Sequence, residues 1–268
     1  MNANRKRDAT DRSEQLAEAG TNTAGALSGA VVGAVVGGVD GAAIGALTGE
    51  FVRMASTMIS HKLLPQRQRT RIQEVVRLAM AAISQLQAEG SQPRNDGFFE
   101  ARDRGDSPAQ EIAEGVLQVA RDAYEQKKVP LLATFLAHLA FHPEVAPEQG
   151  NFLVRTIDQL TYEQIALLAL LARSSEFGVT ERPFHDLGSL SALAGGDRIS
   201  LQLELWDIYR RGLVQAPGIG MWLNWTEIAP GKMQVVGAGT NLYELMRLAD
   251  FDRDELQRLT ARLNWVPQ

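Results

Sequence analysis

The chain has 268 residues, no cysteine and a formal net charge of −5. This length allows two domains with substantial hydrophobic cores. Without cysteine there is no disulfide, thiol nucleophile or zinc–thiolate site, and the negative charge argues against nonspecific nucleic-acid binding by the whole protein.

Residues 1–20 form a polar N-terminal arm, expected to be either a frayed amphipathic helix or disordered. Its basic residues, among them Arg5, Lys6 and Arg7, are followed by acidic and polar residues up to Ala19. A signal peptide would instead continue with an apolar stretch. We therefore expect a cytoplasmic protein that moves to, or resides at, the inner membrane.

Residues 21–50 carry a glycine at every fourth position from 25 onward, with mainly apolar or small residues between them. A glycine inside a helix costs about 1 kcal/mol relative to alanine, so such a row indicates close approach of another backbone. In an apolar segment this repeat is typical of helix–helix contacts in lipid. We predict a glycine-zipper segment that contacts membrane lipids and forms a homo-oligomer. Its packing residues are Gly25, Gly29, Gly33, Gly37, Gly41, Gly45 and Gly49.

Three arrangements of this segment remain open. The uncharged run 21–39 approaches the length of a bilayer span, which allows a single tilted helix with Asp40 at the far interface. Turn residues at 37–41 allow a helical hairpin instead. The glycines can also pack in a soluble helix or hairpin, within the protein's own core or a homo-oligomer. Basic residues flank both sides, and we take Arg53, Lys62 and Arg67 as candidates for lipid contact.

Two amphipathic helices are predicted in residues 51–89, at 51–64 and 66–89, separated by Pro65. Residues 90–106 combine glycine, proline, asparagine and aspartate with mixed charge, which predicts a linker and a domain boundary. Phe98 and Phe99 within it are expected to dock on one of the domains.

Four further helices are predicted at 107–126, 131–141, 147–159 and 161–171. Ser107 and Pro108 make a favourable helix start, and Thr161 with Gln164 matches a capping box. The helix at 131–141 is nearly all apolar but too short to span a bilayer, which predicts a buried core helix.

The last third is predicted to contain helices at 189–194 and 199–211, a strand from 212, strands at 221–228 and 233–236, and closing helices at 240–248 and 254–263. This order is typical of a winged helix with a small two-stranded β wing. The arginines that could contact DNA are Arg198, Arg210 and Arg211. Acidic Glu204 and Asp207 accompany them, so we expect a protein partner or activator rather than nucleic acid.

No catalytic or cofactor-binding motif is found in the sequence. His138 and His142 have a spacing that metals use, but no HExxH pattern accompanies them. The serines at 189–191 lack a Gly-x-Ser-x-Gly elbow, and the glycine turns lack a phosphate-binding motif. We predict a non-enzymatic protein without cofactor or metal.

The C-terminal half contains several apolar motifs: FHP at 141–143 after an apolar helix, LTYEQIALLAL at 160–170, LWDIYRRGLV at 205–214 and GTNLYEL at 239–245. With them, residues 131–248 resemble the Abi-alpha type bacterial proteins associated with abortive infection. The glycine row separately looks like the zipper segments of bacterial membrane proteins and pore-forming effectors. Together the resemblances imply an antiphage effector that inserts its glycine segment and permeabilises the membrane. The alternative is a soluble helical interaction or regulatory protein.

Overall fold

The computed structural model describes residues 39–60, 64–103, 105–187, 197–216 and 223–265. These residues are mainly helical, with one small two-stranded antiparallel sheet, as the fold class predicts. The chain divides into two compact units, Met1–Val154 and Arg155–Gln268. The predicted arm at 1–20, the glycines at 25, 29, 33 and 37, and Lys62 lie outside the described residues.

The described part of the first unit is helical throughout, apart from its connections. Its helices are α1 (Val39–Ser60), α2 (Gln66–Ala88), α3 (Pro108–Asp122), α4 (Lys128–Leu139) and the beginning of α5 (Pro147–Gln159). Most of α4 is buried, and its largest contact is with α2. The predicted buried core helix at 131–141 is therefore confirmed, although it begins three residues earlier. α1 packs against both α2 and α3.

The helix starts predicted at Ser107 and Thr161 are confirmed. At α3 the Ser107 hydroxyl accepts a hydrogen bond from the Gln110 amide at 3.2 Å, and the Gln110 side chain accepts one from the Ser107 amide at 2.7 Å. Thr161 and Gln164 make the same reciprocal pair at 3.1 and 3.0 Å. These pairs satisfy amide groups that a helix start would otherwise leave without partners.

The predicted linker at 90–106 packs against the first unit instead of separating two domains. Arg94 and Phe98 are both buried, and the guanidinium lies 4.2 Å from the centre of the Phe98 ring. The Arg94 amide and side chain also donate to the carbonyl oxygens of Ala140 and Leu139, at 3.1 and 3.4 Å. The chain divides instead after Val154, within helix α5.

The second unit is built around α6 (Tyr162–Leu171), in which every residue from Gln164 onward is buried. The other elements are α7 (Ser174–Phe177), α8 (Asp197–Arg210), β1 (Val214–Gln215), β2 (Gln234–Val235), α9 (Ala238–Leu245) and α10 (Arg253–Asn264). α6 contacts α8, α9, α10 and β2. A polar contact from Gln164 Nε2 to Asp207 Oδ2, at 2.9 Å, adds to the apolar packing between α6 and α8.

The sheet of the second unit differs from the predicted wing in the choice of strands. Val214 pairs with Val235 and Gln215 with Gln234, so the strands predicted from 212 and at 233–236 form the sheet. The strand predicted at 221–228 is wrong for its described residues, because Trp225–Glu227 forms a 3-10 turn. Gln202 Nε2 donates to the carbonyl oxygens of Trp225 and Ile228, at 2.7 and 3.2 Å, which occupies groups that a strand partner would need. The helix predicted at 189–194 lies outside the described residues.

Candidate functional site

The end of the glycine row belongs to α1, which continues without a break into the helix predicted at 51–64. Gly41, Gly45 and Gly49 are therefore helical, and Val39 to Gly41 are not part of a turn. Glycine ends a helix when it adopts the left-handed conformation, and Gly49 has no such positive φ. The helix therefore runs through Gly49, and its described part includes the twelve residues before the predicted start at position 51.

One face of α1 is buried in the first unit, and Gly49 lies away from it. Thr48, Phe51 and Ala55 are 4%, 2% and 0% exposed. On an ideal helix Gly45 and Gly49 are rotated by roughly 80° and 120° from Ala55. Gly49 is exposed, and a Cβ atom placed on it would meet no heavy atom within 4 Å. Within the described residues Gly49 therefore makes no close backbone contact.

Small side chains extend this side of α1 beyond the glycines. Ser56 and Ser60 follow Gly49 at helical spacings that place them within roughly 20° of it. The Ser60 hydroxyl donates to the carbonyl oxygen of Ser56 at 2.7 Å. We call Gly45, Gly49, Ser56 and Ser60 the outer edge of α1. An ideal helix places the exposed Arg53 about 40° from Gly49, so a helix that approaches this edge would meet the Arg53 side chain between Gly49 and Ser56.

Two of the three predicted lipid-contact cations are described, and both are exposed. Arg53 lies in α1, and Arg67 lies in the first turn of α2. None of the helices in the described ranges has both the length and the apolar character that a bilayer span needs. Of the uncharged run at 21–39, only residue 39 lies within the described residues.

The two histidines with metal-like spacing make other contacts. His142 Nδ1 donates to the carbonyl oxygen of His138 at 2.7 Å, and the two ring centres are 6.1 Å apart. Glu144 is 3.9 Å from His142 Nε2. Across the described residues there is no group of three or more side chains suited to hold a metal ion.

A cleft of about 560 Å³ opens in the second unit beside α6, β2 and α9. Its apolar wall includes Leu171, Met233 and Val235, and its polar residues include Glu181 and Lys232. One carboxylate and one cation do not form an arrangement that we can assign to a reaction class.

Two glycines of the second unit make the close approaches that Gly49 lacks, and sequence reasoning missed both. A Cβ atom on Gly239 would lie 2.1 Å from the carbonyl oxygen of Leu213, and one on Gly231 would lie 2.3 Å from that of Val179. The only signal in the sequence is that each glycine falls in a short turn-like segment. Such segments also contain glycines that are needed only for their φ angle.

The three arginines considered for DNA contact are used in other ways. Arg198 is 5% exposed, so it is not on a DNA-accessible surface. Arg211 pairs with Asp207 at 2.8 Å, and the Arg210 guanidinium lies 4.9 Å from the centre of the Trp206 ring. Arg198 Nη1 has no hydrogen-bond partner within the described part of the chain, and burial lowers the pKa of this guanidinium.

Comparison with protein-family models, with curated proteins and with solved structures gives no match to this chain. The resemblance to abortive-infection proteins stays a prediction from the motifs quoted above. Functional inference therefore relies on the residues themselves, and first on α1 with its glycine row.

Proposed function

We propose that the protein is an antiphage effector of the abortive-infection type, which inserts its glycine segment into the inner membrane. The inserted segments self-associate through the glycine row and permeabilise the membrane. Gly29, Gly33 and Gly37 form the helix–helix contact, and Gly41 and Gly45 serve the second arm of the segment.

The observation that carries this proposal is the open position of Gly49 on α1. A glycine inside a helix lowers the stability of that helix by roughly 1 kcal/mol relative to alanine. Close packing offsets that cost elsewhere in proteins, but a Cβ on Gly49 would meet nothing within 4 Å. The regular row thus ends at an exposed helical position with room for another helix, which supports a packing partner in another molecule or in another state of this one.

The second unit serves in this proposal as the module that receives a signal. Its order of α8, β1, β2 and α9 supports a winged-helix-like module. The buried Arg198, the stacking of Arg210 on Trp206 and the pairing of Arg211 with Asp207 favour a protein partner over DNA. Contact with that partner releases the glycine segment for insertion.

The test is the full-length Gly33→Leu variant. Leucine is too bulky for close backbone approach, so we expect dye leakage from anionic liposomes, and toxicity on expression, to fall at least tenfold. Ala34→Leu adds similar bulk beside the row and is the matched control, with much smaller loss expected. Unchanged leakage and toxicity in Gly33→Leu, with the thermal unfolding midpoint also unchanged, would exclude the mechanism.

A second candidate is a soluble helical interaction or regulatory protein whose glycine segment packs in its own core or in a homo-oligomer. It is favoured by the docking of α1 on the first unit through Phe51 and Ala55. Membrane fractionation of the expressed full chain separates the two candidates. Recovery entirely in the soluble fraction, without liposome leakage, would favour this second function.

A further inference from the structure

The connection between α3 and α4 presents an aromatic side chain to solvent. Tyr124 is 95% exposed, the highest value among the large hydrophobic side chains of the described residues. Tyrosine combines an apolar ring with a polar hydroxyl, which suits a boundary between water and an apolar phase.

The backbone that carries Tyr124 is anchored by a buried arginine. Arg71 of α2 is 5% exposed, and its Nε donates to Gln126 Oε1 at 3.1 Å. Its Nη1 and Nη2 donate to the carbonyl oxygens of Arg121 and Tyr124, at 3.4 and 3.5 Å. The connection is therefore fixed to the start of α2 while the Tyr124 ring projects outward.

The surroundings of Tyr124 are basic, although the whole chain carries a net charge of −5. We define the basic end as residues 66–74 of α2 and residues 121–128. It contains six cationic side chains (Arg67, Arg69, Arg71, Arg121, Lys127 and Lys128) and three carboxylates (Glu74, Asp122 and Glu125). Asp122 is paired with Arg121, and Arg71 and Lys128 are buried. Arg67 and Lys127 are exposed.

We propose that the basic end docks on the surface of an anionic lipid bilayer. Each lysine or arginine near such a surface strengthens binding by about fivefold, and interfacial tyrosine adds an amphipathic anchor. Arg71 holds both parts together, because it joins the start of α2 to the backbone of Tyr124. This docking does not require insertion of the glycine segment. The proposal therefore goes beyond the proposed function and can be correct even if the glycine segment does not insert.

The experiment is co-sedimentation of the full chain with vesicles. Mixed phosphatidylglycerol–phosphatidylcholine vesicles should bind the protein at low salt, and phosphatidylcholine vesicles should bind it at least tenfold more weakly. The double variant Arg67→Glu/Lys127→Glu reverses two exposed charges and should weaken binding to the mixed vesicles at least tenfold. Tyr124→Ser should weaken it several-fold.

Matched controls in the second unit are Arg258→Glu and Trp265→Ser, which change an exposed cation and a half-exposed aromatic ring. Both should bind like the wild type. Equal binding to the two vesicle types, or wild-type binding by the charge-reversal variant, would overturn the proposal. So would retention by an acidic polypeptide resin without any vesicle binding, which would indicate a protein partner.

The Gly33→Leu variant separates this proposal from the proposed function. Vesicle binding with loss of leakage supports both, whereas leakage that persists while the basic-end variants bind normally contradicts both. If vesicle binding depends on the basic end but the wild-type protein causes no leakage, docking is supported and the pore mechanism is excluded.

Discussion

Three buried arginines in the described residues meet the cost of losing water in different ways. Arg71 donates to three acceptors, and Arg94 faces a carboxylate, a carbonyl oxygen and the Phe98 ring. The guanidinium carbon of Arg198 lies 5.8 Å from the centre of the Phe184 ring, while its Nη1 has no hydrogen-bond partner among the residues that the structure describes. A buried charge without enough partners lowers the stability of the folded state.

Asp96→Asn removes the carboxylate that pairs with Arg94. Arg94 has a fully buried side chain and Asp96 is 35% exposed, so the expected loss in free energy of unfolding is about 2 kcal/mol after allowance for solvent screening. Urea unfolding at pH 7 measures it. Asp103→Asn, an exposed change in the same connection, is the control and should shift the free energy by less than about 0.5 kcal/mol.

The same pair predicts a pH dependence. The hydrogen bond from Arg94 lowers the pKa of Asp96, and burial only partly opposes this effect. The contribution is therefore present above the unfolded-state pKa, near about 4, and is lost as the pH falls through the lower folded-state value. Asp96→Asn should lose less stability than the wild type between pH 5 and 2, because it lacks this group. Equal losses would contradict the assignment.

Arg198→Met keeps an apolar stem and removes the buried charge. Replacing such a charge by an apolar side chain is often neutral or stabilising, and we expect a gain of about 1 kcal/mol in the free energy of unfolding. Arg210→Met on the exposed side of α8 should change it by less than about 0.5 kcal/mol. A loss above 1 kcal/mol in Arg198→Met would mean that the guanidinium is satisfied in solution.

Gly49 in α1 and Gly239 in the first turn of α9 have opposite surroundings, which a matched pair of substitutions can show. Gly49→Ala in α1 meets open space and should raise the free energy of unfolding by about 1 kcal/mol. Gly239→Ala places a Cβ 2.1 Å from the Leu213 carbonyl oxygen and should lower it by about 3 kcal/mol. Thermal and urea unfolding measure both. A destabilised Gly49→Ala would show that Gly49 is packed in the isolated protein.

Local sequence signals predicted the helices well. They failed where side chains from distant positions in the sequence determine the backbone conformation. Ser107 and Thr161 marked helix starts because a capping box involves residues only three apart. Residues 223–228 alternate like a strand, yet Gln202, some twenty positions earlier, takes the carbonyl oxygens of Trp225 and Ile228. No pattern within the segment could indicate that contact.

The division of the chain into two units illustrates the same limit for the whole molecule. Residues 90–106 have the composition of a linker, but Arg94 and Phe98 tie them to the first unit. The actual division after Val154 falls within the regular helix α5, where composition does not change. For the candidate site, the glycine row was evident from the sequence. The exposure of Gly49 and the anchoring of Tyr124 depend on tertiary contacts and were not.

The continuity of α1 links the stability of the first unit to any movement of the glycine row. α1 contains Gly41, Gly45 and Gly49 in its first half and the buried Phe51 and Ala55 in its second half. If the helix moves as one body, its glycines cannot leave the first unit unless those two side chains are exposed to water. Release of α1 from the first unit would then be all-or-none. The packing of Phe51 and Ala55, rather than the glycines, would set how readily α1 is released.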